Sequence, residues 1–331
     1  MKITYIFRAP SKEKSIERVF APIIKQMEQK GNTVSSSYAW SSCLWPLAMI
    51  ANIIRYAIKS YCGGFYHITG DVQYVACWMN PKNTTMTIHD CVMLHNENAP
   101  SWLKKMVYKY WYEKPLKRLK CITCISESTR QDLIFFFPWA ADKLVVVPNP
   151  VGEEFQFTPK SFKSSCPQIL HVGTRSNKNL ERVIEALDGI NCKLDIIGKL
   201  TEEQETLLKT HHINYQNRFH VSDQEILSAY QYADIISFPS LFEGFGMPII
   251  ESQTIGRPVL TSDREPMKSV AGEGACLADP ESMESIRSGF VKLIEDASYR
   301  DKVNAAGIEN AKKYNIKSVT EGFSAIYKKL S

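Results

Sequence analysis

Short apolar runs alternate with longer amphipathic stretches from one end of this chain to the other, and few folds accept that order. Strand–helix–strand repetition predicts open parallel sheets covered by helices on both faces, because parallel neighbours need a long crossover. Lys2–Phe7 reads as the first strand. Ile16, Val19, Phe20, Ile23 and Met27 then recur at helical spacing up to Gly31, which suits the residue past a helix end. Further strands are expected at 65–68, 84–88, 121–125 and 144–147. Composition shifts at Pro148-Asn149-Pro150, and 152–167 is polar with Pro159 and Pro167, so an interdomain linker is placed there. The pattern then restarts. Gln168–Val172 and Lys193–Ile197 read as strands, with Leu180, Val183, Ile184 and Leu187 as a helical stripe between them. Thr201 with Gln204, and Ser222 with Glu225, are two capping boxes. Strands at 233–238 and 258–261 follow, then amphipathic helices to the end. A chain of 331 residues has room for two cores. The expected fold class is α/β, with Rossmann-like domains over 1–150 and 168–314 and a terminal helix within 315–331. Nucleotide then belongs at the carboxyl ends of the second domain's strands.

The most informative loop is Phe238-Pro239-Ser240-Leu241-Phe242-Glu243-Gly244-Phe245-Gly246-Met247-Pro248-Ile249-Ile250-Glu251. It leaves a buried strand and opens a helix, with Pro248 suited to the first turn and Gly256 to the residue past the last. Gly244 and Gly246 let backbone approach a ligand, and the helix start turns free N–H groups toward an anion. Glu243 and Glu251, with seven residues between them, can accept hydrogen bonds from hydroxyls. One turn thus offers donors for a phosphate and acceptors for a sugar, which a nucleotide-sugar requires.

This string resembles the E-x7-E signature of retaining glycosyltransferases of the GT-B architecture, in particular glycosyltransferase family 4. The resemblance implies two Rossmann-like domains facing across a cleft, with a last helix near 317–329 that could cross back to the first domain. It implies that Glu243 holds hydroxyls of the transferred sugar and Glu251 the ribose, while the Gly244-Phe245-Gly246-Met247 backbone lines sugar and diphosphate. The second signal is His171-Val172-Gly173-Thr174-Arg175-Ser176-Asn177-Lys178-Asn179-Leu180. Arg175 and Lys178 fall at a helix start, where the dipole disfavours cations. A diphosphate docked against Gly173, Thr174 and that helix start makes both favourable. The family's lysine matches Lys178 and its basic residue Arg175; two solvated loop cations are the plain alternative. Base contacts are expected from the loops after Ile197-Gly198-Lys199 and around Val221.

In the first domain, His89-Asp90 ends a strand. Family members often carry such a pair, and the histidine contacts the transferred sugar; a hydrogen bond that only shapes a turn is the alternative. His67-Ile68-Thr69-Gly70-Asp71 resembles acceptor-side loops, and a turn glycine with a capping aspartate explains it equally. Ser126-Glu127-Ser128-Thr129 resembles the segment before a first-domain helix, which capping alone also explains. The glycine-rich loop of many relatives is replaced by Arg8-Ala9-Pro10-Ser11-Lys12-Glu13-Lys14-Ser15, so its basic residues, Arg8 first, are assigned to an acceptor phosphate.

Lys104–Lys120 carries seven basic residues and one acidic one, a local charge of +6 (7 − 1) against +5 for the whole chain. Interleaved aromatics and cations suit an anionic lipid surface. Nucleic-acid binding competes with that reading and a solvated helix face is the plain alternative; no nucleic-acid partner is expected. Trp45 and the apolar run 44–54 extend the surface, but Arg55 stops the run short of a bilayer span. The nine cysteines are scattered, which fits reduced thiols. In Cys121-Ile122-Thr123-Cys124 the two thiols of one strand point to opposite faces, so both are read as core residues. The apolar stretch Ile3–Phe7 is too short for a signal peptide.

The expected function is transfer of a sugar, with retention, from a nucleotide-sugar to a hydroxyl, the acceptor being a lipid-linked glycan of surface-polysaccharide assembly. No cofactor and no metal are expected, as no Asp-x-Asp cluster stands in either strand series. The expected location is cytoplasmic, peripheral on the inner face of the membrane. One rival is an epimerase or oxidoreductase, although no G-x-G-x-x-G follows either domain's first strand. The other is a non-catalytic nucleotide-sugar-binding protein.

Overall fold

Among the described residues, twelve strands form two six-stranded sheets, every pairing parallel. The computed structural model describes residues 1–10, 15–40, 46–95 and 100–331. Ser11–Lys14 of the loop after the first strand, and Leu44 and Trp45 of the apolar run, lie outside the described residues. In the first sheet the strands are β1 (Lys2–Phe7), β2 (Thr33–Tyr38), β3 (Phe65–Ile68), β4 (Thr84–Ile88), β5 (Ile122–Cys124) and β6 (Leu144–Val146), in the order β2-β1-β3-β4-β5-β6. In the second they are β7 (Gln168–Val172), β8 (Lys193–Ile197), β9 (Tyr215–Arg218), β10 (Ile235–Phe238), β11 (Val259–Ser262) and β12 (Cys276–Ala278), in the order β12-β11-β10-β7-β8-β9. Every residue of β3, β4, β5, β10 and β11 is buried, as a parallel sheet covered on both faces requires. Three strands not anticipated, β2, β9 and β12, all lie at sheet edges.

The chain divides into two compact units, Met1–Pro150 with Ile316–Ser331, and Val151–Asn315. Residues set apart as linker pack onto the second unit. Thr158 N–H donates to Ile255 O at 3.1 Å, and Asp234 binds Lys160 Nζ and accepts from the Gln168 N–H at 2.8 Å. Both capping boxes form, at Thr201 and at Ser222. Cys121 and Cys124 enter two different apolar clusters, one on each face of the first sheet.

The helix Ile316–Leu330 belongs to the first unit. Its Val319, Phe323, Ile326 and Tyr327 share a cluster with Ile3, Tyr5, Phe7, Phe20 and Ile23. His67 sits at the middle of it, fully buried. Its Nδ1 is 2.5 Å from the Tyr327 hydroxyl and its Nε2 2.7 Å from Thr87 Oγ1. This corrects the acceptor-side assignment of His67. In β3 it alternates with Tyr66 and Ile68 and so shares the face of Phe65, and both ring nitrogens are already bonded.

Burial, helped by nearby His89, lowers the His67 pKa to about 3, so the ring is neutral in the fold. The unfolded chain takes up this proton below about pH 6.5. Over that window the unfolded state binds more protons, so stability rises with pH and is lost as pH falls through it. His67→Gln is therefore expected to flatten the acid side of a thermal-unfolding profile. An unchanged slope would mean that the ring is not held neutral.

Candidate active site

In a doubly wound sheet, ligands bind beyond the carboxyl ends of the strands where the strand order reverses. In the second unit the reversal lies between β7 and β10, and the loops leaving these two strands carry the two strongest sequence signals. They meet there. Lys178 Nζ lies 2.6 Å from Glu243 Oε1, both side chains part-buried. Asn177 Nδ2 donates to the same oxygen at 3.3 Å and to Phe242 O at 3.2 Å, while Leu241 N–H donates to Asn177 O at 2.8 Å. The Lys178 ammonium also lies 4.8 Å from the Phe238 ring centroid. Its stem crosses Gly173, where a Cβ would come within 2.8 Å of Lys178 Cγ; with φ at +99° that position needs glycine twice over.

The expectation of cations at a helix start is revised by the local geometry. Arg175 is exposed and precedes a single 3₁₀ turn, Ser176–Lys178; the helix begins only at Leu180. Between them Asn179 takes a left-handed conformation (φ 64°) and its buried amide donates to Pro239 O and Pro280 O at 3.0 and 2.7 Å. Asparagine tolerates that conformation better than most residues. Lys178 therefore aims across to β10 rather than along its own helix.

The neighbouring loops are tied to this centre. Thr174 Oγ1 donates to Lys199 O at 2.6 Å, and Gln204 Nε2 donates to Thr174 O at 2.9 Å. The Thr174 hydroxyl is thus spent on structure, and Lys199 is exposed. Val221 follows His220, another left-handed residue (φ 57°) beyond β9. Gly246 (φ 109°) precedes the helix Met247–Ile255, which ends at left-handed Gly256, and Gly244 lies in the turn before it. Phe245 is buried edge-on against Tyr314, so its side chain anchors the turn and only its backbone can face a ligand. Glu251 Oε2 accepts the Tyr230 hydroxyl at 2.6 Å. Burial and that carboxylate push the phenol's pKa well above its usual value, so it stays a donor. His171, at the end of β7, is held neutral with a pKa near 3 by burial and then by Lys178.

The first sheet reverses between β1 and β3, and here too a cation meets a carboxylate. Arg8 Nη1 lies 2.8 Å from Asp71 Oδ2 and its Nη2 3.8 Å from Glu17 Oε2. Arg8 is thereby charge-compensated, which weakens its assignment to an acceptor phosphate. His89, half-buried at the end of β4, bonds Thr69 O through Nε2 at 2.7 Å. A carbonyl only accepts, so Nε2 carries the proton and Nδ1 is the acceptor. Burial lowers the His89 pKa, the Thr69 carbonyl opposing, which favours this neutral form. Gly70 (φ 148°) makes room for the ring, since a Cβ would come within 2.8 Å of it. Ser126 is the N-cap of the helix Glu127–Phe136, its Oγ accepting from Thr129 N–H at 3.1 Å. The capping account is sufficient for it.

Sequence reading gave no role to Asn177, Asn179 or Tyr230. The two asparagines bracket Lys178, and an asparagine before a helical stripe reads as an ordinary N-cap, so the left-handed conformation of Asn179 has no sequence mark; nothing in sequence spacing connects Tyr230 with Glu251.

Residues 153–313 match the family model for glycosyl transferases group 1, and residues 65–155 match that for Glycosyltransferase Family 4. The chain is 22% identical over 306 residues to O-antigen chain mannosyltransferase B of Escherichia coli, covering 83% of this chain and 77% of that protein. It also matches the serotype-specific mannosyltransferase WbdA of Escherichia coli at 25% identity, but spans only 32% of that longer protein. Among solved structures, a glycosyltransferase from Rickettsia africae ESF-5 superposes with a TM-score of 0.79 at 18% identity, covering 99% of this chain and 98% of that one. Anabaena Alr3699/HepE in complex with UDP gives 0.77 at 13% identity, covering 99% and 100%. At these identities the likeness speaks to the fold. The two family matches together run from residue 65 to residue 313, and the chain belongs to the family 4, group 1 glycosyltransferases.

Proposed function

We propose that this glycosyltransferase is a retaining, metal-independent enzyme that moves a sugar from a nucleotide-sugar held on its second unit to a hydroxyl of a lipid-linked glycan, in O-antigen or capsule assembly. The observation that carries the reading is the Lys178–Glu243 contact at the reversal of the second sheet. It brings an ammonium, able to bind phosphate, directly against a carboxylate, able to accept from sugar hydroxyls, at the switch point where nucleotides bind in such sheets. Lys178 and Arg175 neutralise the departing diphosphate, so no metal is needed for that charge. Glu243 orients the sugar, and on the first unit His89 presents Nδ1 as an acceptor for a hydroxyl. Glu251, aligned by Tyr230, takes the ribose, and the backbone of Gly173, Gly244, Gly246 and Met247 lines the diphosphate. The acceptor hydroxyl attacks from the face the diphosphate leaves. Its oxygen bonds the anomeric carbon, the bond to the phosphate oxygen breaks, and the proton passes to that oxygen. Residues 104–120 rest on the anionic inner face of the cytoplasmic membrane.

The relatives' names make a mannosyl donor the first to try, and UDP-linked sugars the next. Incubation with a panel of GDP- and UDP-sugars is expected to release nucleoside diphosphate slowly, chelator or not. With acceptor, NMR is expected to show the donor's anomeric configuration retained. A bound redox cofactor would point instead to an epimerase or oxidoreductase, and binding without turnover to a sensor.

A further inference from the structure

The helix Pro46–Tyr61 carries an apolar stripe on its outer side. Asn52, Tyr56 and Ser60 are buried, whereas Leu47, Ile50, Ile54, Ile58 and Tyr61 are each more than half exposed. Spaced three, four, four and three residues apart, these five fall within an arc of about 80° at 100° per residue. Scattered exposed apolar residues are ordinary, but a continuous stripe of this length marks an interaction surface. The helix contains no acidic residue, and Arg55 and Lys59 both lie beyond one edge of the stripe. At its far end Tyr61 accepts from Arg118 Nη2 at 2.6 Å, which joins the stripe to the basic segment. There Lys114 lies over the Trp78 and Tyr110 rings and Lys117 over the Trp139 ring.

We infer that Leu47, Ile50, Ile54, Ile58 and Tyr61 enter an anionic bilayer, making Pro46–Tyr61 an in-plane anchor helix beside the basic segment. An apolar stripe with cations along one edge and at its end is the composition of a helix lying at the headgroup boundary. A second copy of the chain suits it less well, because Arg55, Lys59 and Arg118 would face their own counterparts. No helix among the described residues is long and apolar enough to cross a membrane, so this contact is superficial. The inference rests on the anionic surface proposed for residues 104–120 and adds a component that salt does not screen.

The test uses the full chain with phosphatidylglycerol/phosphatidylethanolamine vesicles. Ile54→Asp combined with Ile58→Asp is expected to lower the bound fraction at least tenfold at low salt, leaving donor hydrolysis unchanged. Backbone amides of 46–61 are expected to exchange more slowly on vesicles. Lys105→Glu combined with Lys109→Glu serves as the comparison and is expected to weaken binding in a salt-dependent way. If only that charge variant loses binding, the anchor is wrong and the electrostatic contact stands. If wild type ignores vesicles, or light scattering shows a dimer that the aspartates dissolve, the lipid assignment is overturned, whatever donor turnover shows.

Discussion

Lys178→Ala is expected to reduce sugar transfer by about 10²- to 10³-fold in a protein that stays folded, the loss typical of removing one preorganised charge-stabilising donor. The effect should fall mainly on turnover, because the ammonium is needed most as negative charge gathers on the leaving diphosphate. Glu243→Ala is expected to abolish transfer comparably, but Glu243→Gln separates the two partners. Glutamine keeps the shape and accepts from Asn177, yet no longer neutralises the ammonium 2.6 Å away. Nucleoside diphosphate should then bind several-fold more tightly to Glu243→Gln than to wild type while transfer falls, and more weakly to Lys178→Ala. Calorimetric titration with GDP and UDP beside initial rates reads both quantities. Near-wild-type turnover in Lys178→Ala, with its melting curve unchanged, would remove this residue from the chemistry.

Phe323→Ala is expected to cost the first unit about 3–5 kcal/mol, the range for deleting a buried phenylalanine. Against total stabilities of about 5–15 kcal/mol that is a large share. The ring is 2% exposed, and its centroid lies 5.2 Å from His67 and 6.0 Å from Phe20, so the cavity opens where the terminal helix meets the sheet. All six tryptophans lie between Trp40 and Trp139, so their fluorescence reports the first unit alone. The tryptophan transition in urea should move to lower concentration, while protection of the second unit by nucleoside diphosphate persists. A fixed midpoint would show that the terminal helix adds little to that core.

Much of this was legible in the sequence, and the physical reason is burial. Strands covered on both faces disfavour Asp, Glu, Lys and Arg and favour β-branched and aromatic residues, so Phe65–Ile68 (FYHI), Thr84–Ile88 (TTMTI) and Ile235–Phe238 (IISF) announce themselves. The three missed strands are edge strands. Thr33–Tyr38 (TVSSSY) and Tyr215–Arg218 (YQNR) face solvent along one side and carry polar residues there; Cys276–Ala278 is too short for any period to show. The turn around Glu243 was readable because proline, glycine and acid each have a local reason to stand where they do. His67 was misread because its partner, Tyr327, lies 260 residues further on. The same holds for Tyr230 and Glu251: a contact between elements distant in sequence leaves no local mark.

The terminal helix also has a consequence for the order of synthesis. The first unit's core takes Val319, Phe323, Ile326 and Tyr327 from residues made after the whole of the second unit. The second unit is one unbroken stretch, Val151–Asn315, and can close its own core as soon as it clears the ribosome. The half that is translated first is thus the half that finishes last. Until Phe323 and Tyr327 have been made, Tyr5, Phe20 and His67 lack the rings that cover them in the finished fold.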